Sequence, residues 1–329
     1  MEKGEEMEKQ ATAVLPEDRD RIVSPVISVS HLTKDYKQGR GIFDVSFDIG
    51  KGECFGFLGP NGAGKSTTIR HLMGFSIPDS GTTLLRGQSS LKNRSIIMQG
   101  IGYVPGEVAL PDMLKGSDVI QENMALKGVK DPTMLNYLMK EFQVDDSLFC
   151  REMSLGTKRK IAIVVAFCND PDVIILDEPS SGLDPTMQDR FISFILEEKK
   201  RGKTILLSSH IFSEVDSCCD RIAIIKDGRI VSRFHADDLR HKSLKQYHIL
   251  YPDREKKEEA EKALKDKGYR IENSSLTPLR FSVFSEDRDI NKLLTDIPRG
   301  FTDFSEKKET LEDYFMTFYK EDKSFGGIR

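Results

Sequence analysis

Apolar and polar residues alternate along Val26–Val29 and Val45–Ile49, the period of strands with one buried face. Glu53–Leu58 is instead a short apolar run that leads into a glycine. Val173–Leu176 and Thr204–Leu207 are β-branched or apolar runs bounded by turn residues, the texture of strands buried on both faces of a parallel sheet. Ser66–Phe75 and Pro185–Arg201 read as helices between such strands. Strand–helix alternation of this kind predicts an α/β fold with a largely parallel sheet. From about residue 95 to residue 166 the chain is helix-rich and breaks that alternation, which predicts an inserted helical subdomain.

After about Lys242 the pattern resets. Leu244–Tyr251 reads as a strand, Arg254–Lys267 as a charged helix, and Tyr269–Asn273 and Leu279–Phe284 as two further strands. A short helix at Asp289–Thr295, a strand near Phe301–Phe304 and a helix at Thr310–Tyr319 complete the order β-α-β-β-α-β-α, a split βαβ arrangement. The expected organisation is therefore a main domain over 26–242 and a small α+β domain over 243–329. Residues 1–24 hold seven acidic and four basic side chains and no aromatic. Such a segment buries too little apolar surface to offset its ordering entropy, so residues 1–25 are expected to be a flexible tail.

Composition narrows the classes. The 329 residues include 49 Lys and Arg against 53 Asp and Glu, a net charge of −4, of which the tail carries −3. The region from Ser243 has 17 basic and 18 acidic residues. This near-balance gives no electrostatic footprint for nucleic acid. The longest apolar run, Ile161–Cys168, is eight residues, and a membrane span needs about 20. No secretory signal opens the sequence. The five cysteines form no C-x-x-C pair, which suits free thiols in a reducing compartment. The six histidines show no zinc-ligand spacing.

The candidate chemistry begins at Gly59-Pro60-Asn61-Gly62-Ala63-Gly64-Lys65-Ser66-Thr67, which fits G-x-x-x-x-G-K-[ST] between an expected strand and an expected helix. Glycines let the backbone curl with its N–H groups facing inward, and the helix adds its positive end. Both suit phosphate oxygens. Lys65 is expected to meet the β- and γ-phosphates and Ser66 to hold Mg²⁺. A second constellation follows Val173–Leu176: Asp177, suited to Mg²⁺ through its water shell, and Glu178, suited to orient or deprotonate an attacking water. His210 follows the end of a later strand, where a side chain can face a γ-phosphate.

Together these motifs resemble the ATP-binding subunits of ATP-binding cassette (ABC) transporters, over roughly residues 26–235. Met153-Ser154-Leu155-Gly156-Thr157 is similar to the family signature L-S-G-G-Q. Asp184 matches the D-loop aspartate, His210 the switch histidine, and Tyr36 the aromatic that stacks on adenine. Phe57–Thr68 and Leu311–Phe315 resemble the ABC-2-type bacterial exporter group. The resemblance implies a P-loop NTPase cassette that binds ATP and Mg²⁺ and hydrolyses ATP. It also implies a second cassette from another chain, whose Ser154 and Gly156 would meet the first chain's γ-phosphate. Separate membrane-embedded permease subunits would hold the protein at the cytoplasmic face of the cell membrane. Two motifs depart from the pattern. Leu155 and Thr157 replace a glycine and a glutamine of the signature, and Gly106 stands where the family places the Q-loop glutamine. Glu107, beside it, either substitutes for that glutamine near Mg²⁺, through a water, or is a solvated loop acid. The rival function is a soluble, non-transport ABC ATPase acting on a macromolecular complex. The region from Ser243 reads as a solvated module aiding dimerisation.

Overall fold

The computed structural model describes residues 22–240, 244–273, 277–286, 289–307 and 311–316. Residues 1–21 of the expected N-terminal tail lie outside the described residues. The chain divides into two compact units, Met1–Ala236 and Asp237–Arg329.

Three layers build the first unit. Strands β1 (Ile27–Lys37) and β2 (Arg40–Ile49) pair antiparallel, and β4 (Ser80–Leu85) and β5 (Gln88–Ser89) extend them in the order β2-β1-β4-β5. The two long strands run well beyond the alternating stretches seen in the sequence. The register shifts between Val29 and Leu32 and again further along, and His31 and Asp44 take φ values of 50° and 58°. Bulges of this kind re-phase the side chains, which erases the period-2 pattern without ending the strand.

The central sheet runs β10 (Arg229–His235), β9 (Arg221–Lys226), β3 (Cys54–Leu58), β8 (Thr204–Ser209), β7 (Val173–Asp177), β6 (Ile101–Val104). Its five strands from β9 to β6 are parallel, and β10 joins the edge antiparallel. Every residue of β3, β7 and β8 is buried, as the unbroken apolar runs required. The inner faces of the two sheets and helix α1 (Lys65–Leu72) share one core that includes Val45, Phe57, Ile69 and Ile175. Within it Phe47 stacks on Phe55 with ring centroids 5.1 Å apart.

The helical insertion begins later than residue 95. Helix α2 (Arg94–Gly100) contributes Ile97 to the sheet core, and β6 is a sheet strand. The insertion proper holds α3 (Gly116–Leu126), α4 (Thr133–Glu141) and α5 (Leu155–Phe167). It joins α6 (Pro185–Lys200) through an aromatic cluster: Phe194 lies 5.5 Å from Phe142 and 4.8 Å from Phe167, both edge to face. Helix α7 (Phe212–Cys218) packs on β3 and β8. Helix α8 (Ala236–Arg240) begins at the last residue of the first unit.

The second unit holds β11 (Leu244–Leu250), α9 (Arg254–Asp266), β12 (Ile271–Asn273), β13 (Arg280–Glu286), α10 (Ile290–Asp296), β14 (Asp303–Lys307) and α11 (Leu311–Met316). The sheet order is β12-β13-β11-β14, antiparallel throughout. β13 thus lies between β11 and β12, which is the split βαβ arrangement expected from the element order. Tyr247, Ile249, Phe281, Val283, Leu264 and Leu293 form its core. Residues 310 and 317–319 of the expected last helix lie outside the described residues.

Candidate functional site

The parallel sheet brings three strand ends side by side. β8 lies between β3 and β7, so the segments that follow these strands, Gly59–Gly64, His210 and Glu178, emerge at one edge. In open α/β sheets this carboxyl edge is where ligands bind.

The loop after β3 is fixed by its glycines. A Cβ at Gly59 would lie 2.5 Å from the Ile225 carbonyl oxygen. Gly64 takes φ 110° just before α1, and a Cβ there would lie 2.7 Å from Ile42. Left-handed backbone and close approach together exclude a side chain at Gly64. Lys65 is 4% exposed and folds back over the loop: its Nζ donates to the carbonyl oxygens of Gly59 at 2.6 Å and Pro60 at 3.0 Å. Burial lowers its pKa, opposed by the nearby Glu178 and Asp177 carboxylates. Ser66 is exposed at the first turn of α1, and Thr67 is half-buried.

The loop after β7 carries the acids. Asp177 is 2% exposed and accepts a 2.5 Å hydrogen bond from Ser208 Oγ on β8. Among the described residues no Lys or Arg forms an ion pair with it. Glu178 sits at φ 47°, a sparsely populated region for a non-glycine residue. Its N–H donates to the Ser208 carbonyl at 3.1 Å, and its carboxylate spans the site. Oε1 lies 3.2 Å from Lys65 Nζ and Oε2 lies 3.3 Å from His210 Nδ1. The structure therefore unites Lys65, Glu178 and His210 directly, with Asp177 adjacent.

Other expected site residues stand apart or serve the backbone. Ser154 caps α5, accepting from the Thr157 N–H at 3.1 Å, and Asp184 caps α6, accepting from the Met187 N–H at 3.1 Å. Both are exposed. A Cβ on Gly156 would lie 2.8 Å from the Gly182 carbonyl oxygen, so the signature turn and the loop after Glu178 touch. Leu155, in the place of a glycine, packs its side chain over Gly182 while remaining 55% exposed. Tyr36 is 53% exposed on β1. Glu107 is exposed, and no hydrogen bond or ion pair ties it to Asp177, Ser66 or Glu178. Gly106 instead brings its backbone against the site: a Cβ there would lie 2.9 Å from Asp177 Oδ2.

Sequence reasoning missed three contributors. Ser208 holds Asp177. Ser209, beside it, donates to the buried Glu214 at 2.6 Å and accepts from the Ile211 N–H at 2.9 Å, which sets the turn bearing His210. Arg159 is 1% exposed and reaches three carbonyls around the site. Within Lys158-Arg159-Lys160 the only available signal was helix phase. Arg159 shares a face with Ala162, Ile163 and Ala166, all buried.

The donor set fits Mg²⁺. A buried carboxylate with one hydroxyl donor and a nearby exposed serine hydroxyl are hard oxygen ligands. Among the described residues no group of three or more His, Cys, Asp or Glu side chains could hold a metal. A cation here would thus take its remaining ligands from phosphate and water.

Comparison with known proteins gives a consistent result. The sequence profile described as ABC transporter matches residues 42–181. The Nod factor export ATP-binding protein I of Paraburkholderia xenovorans (strain LB400) is 34% identical over 217 residues, 63% of this chain and 69% of that protein. The bacitracin transport ATP-binding protein BcrA of Bacillus licheniformis is 28% identical over 298 residues, 89% of this chain and 97% of that protein. A solved ATP-binding subunit of an ABC transporter, 31% identical, superposes with a TM-score of 0.60 over 65% of this chain and 92% of its own. A dimeric ATP-binding cassette bound to ADP and phosphate superposes with a TM-score of 0.59 over 64% of this chain at 20% identity, a likeness of fold.

Proposed function

Because the chain belongs to the ABC transporter family and is an ATP-binding, ATP-hydrolysing subunit of it, we propose that Glu178 acts on the attacking water in a site completed by a second cassette. The observation that carries this reading is the Glu178 carboxylate bridging Lys65 at 3.2 Å and His210 at 3.3 Å at the sheet edge. Phosphoryl transfer to water needs positioning and charge stabilisation more than covalent chemistry. Gly59–Thr67 cradle the phosphates. Arriving phosphate oxygens compete for Lys65 Nζ, drawing it off Gly59, Pro60 and Glu178, and so free the Glu178 carboxylate. His210 then faces the γ-phosphate from the end of β8. Asp177 and Ser66 would hold Mg²⁺, which when bound would supply positive charge against that of the phosphates. Tyr36 stacks on adenine.

Ser154 and Gly156 of the second cassette close over the nucleotide, with Asp184 beside them. Closure excludes water and completes the constellation, and hydrolysis reverses it. This two-state element drives separate membrane-embedded permease subunits. No helix among the described residues is long and apolar enough to cross a membrane. On this reading the protein sits at the membrane's cytoplasmic face through those partners. A relative named for Nod factor export supports the exporter direction, and it and one named for bacitracin transport disfavour a soluble, non-transport ATPase. The test is expression with and without the candidate permease. Recovery of the chain in the membrane fraction only when the permease is present is the expected result. Equal soluble recovery in both cases would count against the transport assembly.

A further inference from the structure

Arg159 is a buried cation without a carboxylate against it. Among the described residues its guanidinium forms no ion pair. Nε donates to the Ser181 carbonyl at 3.0 Å, Nη2 to the Gly106 carbonyl at 2.6 Å and Nη1 to the Pro105 carbonyl. These acceptors belong to two separate loops: Pro105–Gly106 follows β6, and Ser181 follows Glu178. Arg159 itself lies on α5, which Ser154 caps. Burial pulls its pKa down, and the fields of Asp177 and Glu178 push it back. The two carboxylates thus offset part of the cost of burying its charge without touching it. Gly106 has no side chain, and a Cβ there would lie 2.9 Å from Asp177 Oδ2. The turn therefore meets the Asp177 carboxylate through its backbone.

We propose that Arg159 is a positioning residue for ATP hydrolysis, a latch that fixes the Pro105–Gly106 turn and Ser181 to α5. In this chain the loop that lacks a glutamine is then tied to the site by its carbonyls. Movement of α5 on engagement of Ser154 is passed to the loops around Asp177 and Glu178. The proposal rests on the ATPase reading above. A lysine keeps the charge but lacks the planar fork that reaches three carbonyls, and a methionine of similar reach leaves all three without a donor.

The full-length chain is compared with its Arg159→Lys, Arg159→Met and Gly106→Ala variants. The readouts are melting temperature, affinity for a fluorescent ATP analogue, kcat and KM for Mg-ATP, and amide hydrogen exchange. Displacing the reacting groups should lower kcat about tenfold or more with analogue affinity and KM little changed. Arg159→Lys should fall between wild type and Arg159→Met. Exchange should rise in residues 104–108 and 179–183 and stay low in 161–166. Gly106→Ala leaves Arg159 in place but sets a Cβ 2.9 Å from Asp177 Oδ2, so the turn or that carboxylate must give way and kcat should fall; Arg159→Lys is the test where Arg159→Met fails to fold. Folded variants with wild-type kcat would overturn the proposal, as would exchange rising uniformly along α5. A wild-type chain that binds the analogue but hydrolyses no ATP would instead overturn the ATPase reading on which the proposal stands.

Discussion

At the residue scale the decisive group is Glu178. Its strained backbone aims the carboxylate at Lys65 and His210 rather than along β7. Glu178→Gln keeps the shape and removes the base, so single-turnover hydrolysis should fall by about 10²-fold or more while ATP affinity holds. Near-wild-type turnover would sink the assignment. Lys65→Ala acts on a different quantity. It removes a buried cation from the phosphates, and the expected result is weaker ATP binding in equilibrium titration, whatever the rate. Glu107 provides a contrast. It is exposed and tied to nothing at the site, whereas the neighbouring Gly106 lies against Asp177. Glu107→Ala should leave the Mg²⁺ dependence of ATPase activity unchanged in the isolated subunit. A raised half-saturating Mg²⁺ concentration would show that Glu107 reaches the metal.

At the element scale, two expected site residues are also helix caps, and the two roles separate experimentally. Ser154 and Asp184 each accept a backbone N–H at the start of α5 and α6. Replacing either by Ala should cost about 1 kcal/mol of stability, a drop of a few degrees in melting temperature. The Ser154 change should in addition weaken ATP-dependent pairing of two chains. A larger loss of stability with pairing intact would leave Ser154 as a cap alone. The phosphate loop and the acids were legible in the sequence because each is a local pattern on one strand end or helix start, whereas the capping by Ser154 and Asp184 came only with the structure. The buried runs of β3, β7 and β8 were legible for the same reason. What was hidden needs tertiary information. Bulges break the alternation in β1 and β2, and β6 passed for the start of a helical subdomain because four residues carry too little period. Arg159 sits in a run of three cations that reads as a solvated face, and only helix phase and packing choose the one that is buried.

At the scale of the whole molecule, the chain is two compact units, and every nucleotide motif lies in the first. Each unit has a core of its own, Val45 to Ile175 in one and Tyr247 to Leu293 in the other. A chain ending near Lys242 retains α8 and should fold and bind ATP. Insolubility or loss of binding would make the second unit part of the first unit's fold. If the second unit supports the dimer, the shortened chain should pair more weakly at equal ATP affinity. In the proposed cycle ATP closes two cassettes around a site built on Lys65 and Glu178. Its most direct test is sedimentation of the full-length Glu178→Gln protein with and without Mg-ATP. The expected result is a monomer without nucleotide or with ADP, a dimer with ATP, and no ATP-induced dimer when Lys65→Ala is added. A protein that binds ATP yet stays monomeric at saturation, or a dimer indifferent to Lys65, would contradict it.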